Sequence, residues 1–165
     1  MSASPTQRTL PSYGRVVVDK EHREHWLHLV ELLLTKNMIV VAQGVMSEMF
    51  WRYAKYGMIA EALSTLSYAT HHGLMLDLPN YNYLLRKLVS CNLFSQAHEL
   101  YSEMTSKGIS PDSSTFDSMV ICFCKQGNLQ QANVFYFQVI QKGWVPGSAT
   151  YDALIQEHLL QKMLP

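Results

Sequence analysis

Charge of either sign is not in excess in this chain: thirteen lysines and arginines are matched by thirteen aspartates and glutamates over 165 residues, and the net charge is zero. A broadly cationic grip on nucleic acid needs clustered Lys and Arg to release counterions, and is therefore excluded; a local basic patch is not. Long apolar runs are missing as well, and no stretch approaches the length of a membrane-spanning helix. Cysteine is scarce and odd in number, with Cys91, Cys122 and Cys124 showing no CxxC spacing. No disulfide framework is encoded, and buried thiols in a reducing compartment are expected. A P-loop, a nucleophile elbow, an HExxH helix and a zinc-deaminase signature are all absent. The acidic residues are scattered rather than paired, so neither an enzyme nor a bound cofactor is expected.

What the chain does have is a period. Tyr81, Phe116 and Tyr151 stand 35 residues apart, as do Ala62, Ala97 and Ala132, and again Gly73, Gly108 and Gly143. Pro111 and Pro146 share the spacing. A fixed period of this length denotes copies of one supersecondary unit, stacked so that neighbours bury each other's apolar faces. Within each copy the apolar residues recur at helical spacing in two runs. A left-handed turn residue (Gly57, Asn92 or Gly127) separates the runs, and glycine closes the second. The recurrent alanines in the second run let paired helices approach closely. These features predict an all-α, right-handed solenoid of stacked helix-turn-helix repeats.

The boundaries follow from the period. Repeats are expected over 43–77, 78–112 and 113–147, with a C-terminal half-repeat or capping helix over 148–165. An amphipathic helix from about 20 to 36, carrying Trp26, Leu27, Val30, Leu33 and Leu34, marks 19–42 as a degenerate repeat or N-terminal cap. The first helix of the first full repeat is expected to carry Met46, Met49, Phe50, Tyr53 and Ala54 and to begin near Gln43, with Trp51 near the core. Residues 1–18 hold Arg8 and Arg15 among Ser and Thr with no acidic residue, as organellar transit peptides do and as a flexible solvated tail also would.

The string from Tyr81 to Asp112, YN-x2-L…A-x2-LY-x2-M-x3-GI-x-PD, resembles a pentatricopeptide repeat, and Cys124-Lys125-Gln126-Gly127 extends the resemblance into the next unit. The resemblance spans Leu78 to Gly147 well, Gln43 to Asp77 and the last helix less closely, and stops before about Val41. Tetratricopeptide repeats keep a glycine inside the first helix, whereas here it lies at the hairpin turn. The closest type is a short P-type array without an editing or nuclease domain.

Such repeats meet one base of single-stranded RNA each. The residue after the first-helix aromatic and the last residue of the unit read the base. The resemblance then implies that Asn82 with Asp112 reads uracil and Ser47 with Asp77 a purine. Asp117 with Gly147 matches no common pair, and Asp152 has no closing partner. Asn82, Asp117 and Asp152 could equally be helix-start residues capping free N–H groups. Lys55 and Lys125 occupy the register in which the family contacts phosphate, with Ser90 between them; lysines near helix C-termini also suit the helix dipole. Where the family places a bulky aliphatic residue to sandwich bases, this chain has Gly44, Pro79, Ser114 and Ala149.

The function expected from this resemblance is an RNA-binding adaptor of a mitochondrion or chloroplast, active in processing, splicing or stability of a transcript. Weak binding is expected, aided by other proteins of an RNA-processing complex or by a homodimer, and no membrane is involved. The alternative is a protein-interaction scaffold that has lost base recognition. Leu154, Leu159 and Leu160 lie on the last helix without a second helix behind them, and either cap the third repeat or meet another copy. His22, His25 and His28 recur at three-residue spacing, which suits a polar helix face better than a metal site.

Overall fold

The computed structural model describes the backbone of residues 20–163 and the side chains from residue 23 onward. Among the described residues there are eight α-helices and no strand: α1 Lys20–Thr35, α2 Ile39–Lys55, α3 Ile59–His71, α4 Leu78–Ser90, α5 Phe94–Ser106, α6 Ser113–Lys125, α7 Leu129–Gln141 and α8 Ser148–Met163. The architecture is an all-α repeat solenoid. The chain divides into two compact units, Met1–Leu76 and Asp77–Pro165. The tail over 1–18 lies outside the described residues.

In the second unit, α4 pairs with α5 and α6, and α6 pairs in turn with α7 and α8. Asp77 and Asp112 start α4 and α6 from extended backbone. The Asp112 carboxylate accepts the Thr115 N–H at 3.0 Å, and the Thr115 hydroxyl oxygen accepts the Asp112 N–H at 3.2 Å, a reciprocal capping box. Asn80 does the second half of this for Asp77, whose N–H it accepts at 3.1 Å. At the other end of α6, Gly127 turns left-handed at φ 71°, and the Asn128 N–H returns to the Phe123 carbonyl at 2.9 Å. Asn92 holds the same turn after α4 at φ 59°, as its sequence register requires.

The core lies where the helix pairs meet. Ala97 and Ala132 are fully buried, as are Leu84, Leu88 and Val120. Ala132 contacts a cluster with Val120 and Cys124, flanked by Phe123, Phe135, Tyr136, Ala153 and Leu154. Phe135 of α7 sits 5.2 Å from the Phe123 ring and 5.8 Å from the Phe116 ring, so the small alanine and the large phenylalanine together seat α7 on α6. Leu154 belongs to this packing, whereas Leu159 and Leu160 are exposed.

In the first unit α2 begins at Ile39, four residues before the expected Gln43. The later repeats place Ile-Ser-Pro-Asp (109–112) and Trp-Val-Pro-Gly (144–147) in this register, where proline stops helix formation. Ile39-Val40-Val41-Ala42 has no proline and no capping side chain, so the helix runs on and buries Ala42 completely. Met46, Met49, Phe50, Tyr53 and Ala54 are buried as expected, and α3 contributes Ala62, Leu66 and Ala69. Trp51 is not a core residue: it is 38% exposed on the far side of α2, its ring edge-on to Phe50 at 5.2 Å. Next to it Arg52 reaches over the Trp26 ring at 5.6 Å.

The thiols also differ from expectation. Cys122 and Cys124 are buried, but Cys91 follows the end of α4 and is exposed. Burial pushes both inner thiols up to about 11, so they stay protonated and unreactive near neutral pH. A disulfide-exchange reagent at pH 8 is therefore expected to titrate one thiol rapidly in the folded chain and three after denaturation. Two fast thiols would contradict the packing of α6. Because the folded state holds these protons more tightly, the two thiols favour folding below the unfolded thiol range. That contribution is lost as pH rises towards 11.

Candidate nucleic-acid interface

Asn82, Asp117 and Asp152 are the fifth residues of α4, α6 and α8. None of them caps its own helix; Asp77 and Asp112 hold that position for α4 and α6. Asn82 is buried and carries a defined network. Its Nδ2 donates to Asp112 Oδ1 at 3.0 Å, and its Oδ1 accepts the Thr115 hydroxyl at 2.6 Å. A carboxylate only accepts, so the amide nitrogen must face Asp112, and the orientation of the amide is fixed. One N–H and one oxygen lone pair of Asn82 remain, a donor beside an acceptor.

One repeat later the same joint is built differently. Asp117 Oδ2 accepts the Gly147 N–H at 3.0 Å, and Asp117 Oδ1 accepts the Thr150 hydroxyl at 2.8 Å. Gly147 has no side chain to offer, but its backbone takes the place of one. A Cβ on residue 147 would stand 3.1 Å from Asp117 Oδ2, which explains why glycine suits this joint. Asp152 is exposed. Ser47 is half-buried on α2 in the first unit, and Asp77 stands exposed at the start of α4 in the second.

Lys55 and Lys125 are the last residues of α2 and α6, and both are exposed. The Lys125 ammonium donates to the Val89 carbonyl at 3.3 Å and to Asn92 Oδ1 at 3.4 Å, which places it at the C-terminal end of α4. The Val89 carbonyl also accepts the Asn92 N–H at 3.2 Å, so the ammonium adds a second donor there and keeps a third N–H of its own. Gly44, Pro79 and Ala149 are exposed and Ser114 is half-buried, so the positions for base-sandwiching side chains carry little surface.

Sequence reasoning missed three residues of α4. Tyr83, Arg86 and Lys87 line, with Ser90, a hollow of about 430 Å³. Arg86 also lines a groove of about 160 Å³ between α4 and α6, with Val89, Ser90, Ser118, Ile121 and Lys125. The Lys87 ammonium lies 5.6 Å from the centre of the Tyr83 ring. Among the described residues the carboxylate ion pairs are Arg52–Glu48 and Lys107–Glu103, so Arg86, Lys87 and Lys125 leave their charge available. The signal was present: residues 83, 86, 87 and 90 fall opposite the buried 81, 84, 85 and 88 on one helix. His25 and His28 are exposed on α1, and the His22 side chain lies outside the described residues. No group of three metal-ligating side chains forms among the described residues.

Comparison with known proteins assigns the architecture to a family. A sequence model of the PPR repeat family matches residues 76–125, and a PPR repeat model matches residues 114–144. Residues along 106 positions are 31% identical to the pentatricopeptide repeat-containing protein At5g62370 of Arabidopsis thaliana. Residues 76–144 are thus pentatricopeptide repeats. The Arabidopsis alignment covers 64% of this chain and 10% of that protein. Among solved structures it resembles the maize pentatricopeptide repeat protein PPR10 in complex with an 18-nt psaJ RNA element, with a TM-score of 0.52 and 26% identity. The match covers 72% of this chain and 18% of PPR10. The fold is also that of the PPR domain of Arabidopsis thaliana protein-only RNase P 1, solved in complex with tRNA: TM-score 0.58, 13% identity, covering 91% of this chain and 79% of that one.

Proposed function

We propose that this chain binds single-stranded RNA along the first helices of its repeats, as an adaptor in organellar processing, splicing or stabilisation of a transcript. The observation that carries this reading is the α4–α6 face. There the oriented Asn82–Asp112 pair stands on the same two helices as Arg86, Lys87 and Lys125, whose charges have no carboxylate partner among the described residues. The free donor and acceptor of Asn82 complement the adjacent N3–H and carbonyl of uracil, and the cations suit phosphate. The RNA complexes of PPR10 and of the protein-only RNase P domain support the ligand class. In the first unit, Lys55 at the end of α2 offers a further cation for phosphate. With small residues at Pro79, Ser114 and Ala149, stacking contributes little, and binding is weak without a partner.

One observation favours the protein-scaffold reading beside it. On α7, Val134, Phe137 and Ile140 are 46%, 59% and 45% exposed, where α5 presents Glu99, Ser102 and Thr105 in the same register. Such an outward apolar stripe suits a protein partner of an RNA-processing complex or a second copy of the chain.

Titration of short uracil-rich and uracil-free single strands at low and moderate salt tests the proposal. Saturable binding with a uracil preference that Asn82→Ala removes is expected. Absence of saturable binding at low salt would leave the scaffold reading alone.

A further inference from the structure

We infer that Asp117 and Gly147 form a working base-reading joint whose chemistry selects guanine, and that the third repeat is not a silent one. The inference rests on the RNA-binding reading of the first-helix face and adds a base identity to it. It comes from comparing two joints that differ by a compensated exchange. In the Asn82 joint the carboxylate belongs to the residue before the next helix, Asp112, and an amide stands on the first helix. In the Asp117 joint the carboxylate stands on the first helix itself, and the residue before the next helix offers only its N–H.

The threonine that ties each joint together, Thr115 or Thr150, is retained in both. Thr115 donates its hydroxyl to Asn82 Oδ1, and Thr150 donates its hydroxyl to Asp117 Oδ1. Asp117 therefore has each of its oxygens oriented by one donor from the start of α8, Oδ1 by Thr150 and Oδ2 by Gly147. A carboxylate has about four acceptor sites and no donor, so each oxygen keeps a lone pair for a ligand. Asp117 is only half-buried where Asn82 is 6% exposed, so the third-repeat group is the easier to reach.

Two parallel acceptors call for two parallel donors. Among the four RNA bases, only guanine presents two adjacent donors on its Watson–Crick edge, N1–H and N2–H. Uracil offers one N–H between carbonyls, and adenine and cytosine each set an acceptor beside their amino group, which a carboxylate oxygen would repel. The glycine is part of the device. A Cβ at 147 would stand 3.1 Å from Asp117 Oδ2, so the carboxylate would have to give by a few tenths of an ångström. Asp117→Asn together with Gly147→Asp would rebuild the donor–acceptor arrangement seen at Asn82 and Asp112.

The test uses the full chain and single-stranded oligonucleotides of one length, each with a uracil flanked on either side by one of the four bases or by inosine. The expected result is a preference of about tenfold for guanine over the other bases, in line with other bidentate base contacts. Inosine, which keeps N1–H and lacks the 2-amino group, is expected to bind more weakly than guanine. The Asp117→Asn, Gly147→Asp double variant is expected to trade guanine for uracil. Equal binding of guanine and inosine by the unaltered chain would overturn the inference without relying on any variant. So would an unchanged preference in a double variant whose thermal unfolding matches the parent. If no oligonucleotide binds, the RNA reading fails and this inference fails with it; if RNA binds without guanine preference, only the inference fails.

Discussion

Replacing Phe116 by alanine is expected to destabilise the unit over Asp77–Pro165 by about 3–5 kcal/mol, the usual cost of deleting a large buried ring. Phe116 is 4% exposed on α6, and its ring meets Phe135 at 5.8 Å and Trp144 at 5.7 Å. Lys142 lies 5.5 Å over the same ring. The phenyl thus joins α6 to the middle of α7 and to the loop that leads into α8. The small Ala132 allows α7 to come close, but an alanine fills no space, and Phe135 would be left over a void. Repeat stacks lose stability locally, because each unit contacts only its neighbours. Hydrogen exchange is therefore the informative measurement: protection should fall across α6, α7 and α8 before it falls elsewhere. Phe137→Ala, at a site 59% exposed on the same helix as Phe135, serves as the control and should shift stability by no more than about 0.5 kcal/mol. Equal effects from the two variants would show that the ring cluster does not organise this unit.

The contrast between Phe116 and Asp117, adjacent in sequence, shows what a sequence can reveal of such a protein. Phe116 announced itself: an aromatic recurs 35 residues apart at Tyr81, Phe116 and Tyr151, and the first two are buried while Tyr151, on the last helix, is 40% exposed. The alanines, the turn at Asn92 and the closing glycines were equally legible, because each follows from a local steric demand. The early start of α2 was less so. It depends on the absence of a stop at 39–42, and absent signals are easily overlooked. At the candidate site the residue types were legible but their partners were not. Asn82 and Asp112 lie 30 residues apart, and only the fold brings them to 3.0 Å. Gly147 has no side chain from which a role could be inferred, and its N–H acts through the backbone. Arg86 and Lys87 were passed over because neither recurs at the period: the equivalent residues of α6 are Ile121 and Cys122. Searching by repeat finds what repeats, and a binding face can be made of residues that do not.

That face makes the second strong prediction: changing Arg86, Lys87 and Lys125 together to alanine should weaken single-stranded RNA binding by about a hundredfold at low salt. Charge-assisted hydrogen bonds to phosphate are each worth about 1.5–3 kcal/mol, and exposure to solvent reduces that figure here. Three such contacts therefore support a hundredfold loss even after discounting. The salt dependence gives the sharper readout. On single strands each neutralised phosphate contributes about 0.7 to the slope of log affinity against log salt, so the triple variant should lower the slope by about 2. Lys125 differs from the other two, because it already donates to Val89 and Asn92 and is held at the end of α4. Its single replacement should cost less affinity than that of Arg86, which borders both hollows of the face. Phosphate contacts carry no sequence information, so the loss should be uniform across oligonucleotides, with the uracil preference of the Asn82–Asp112 pair intact. A loss confined to uracil-rich strands, or an unchanged salt slope, would place the phosphate path away from α4 and α6. In a chain with no net charge and no broad stacking surface, these three cations are the main available source of attraction for RNA on this face. Base reading can then be selective only if they first hold the strand against it.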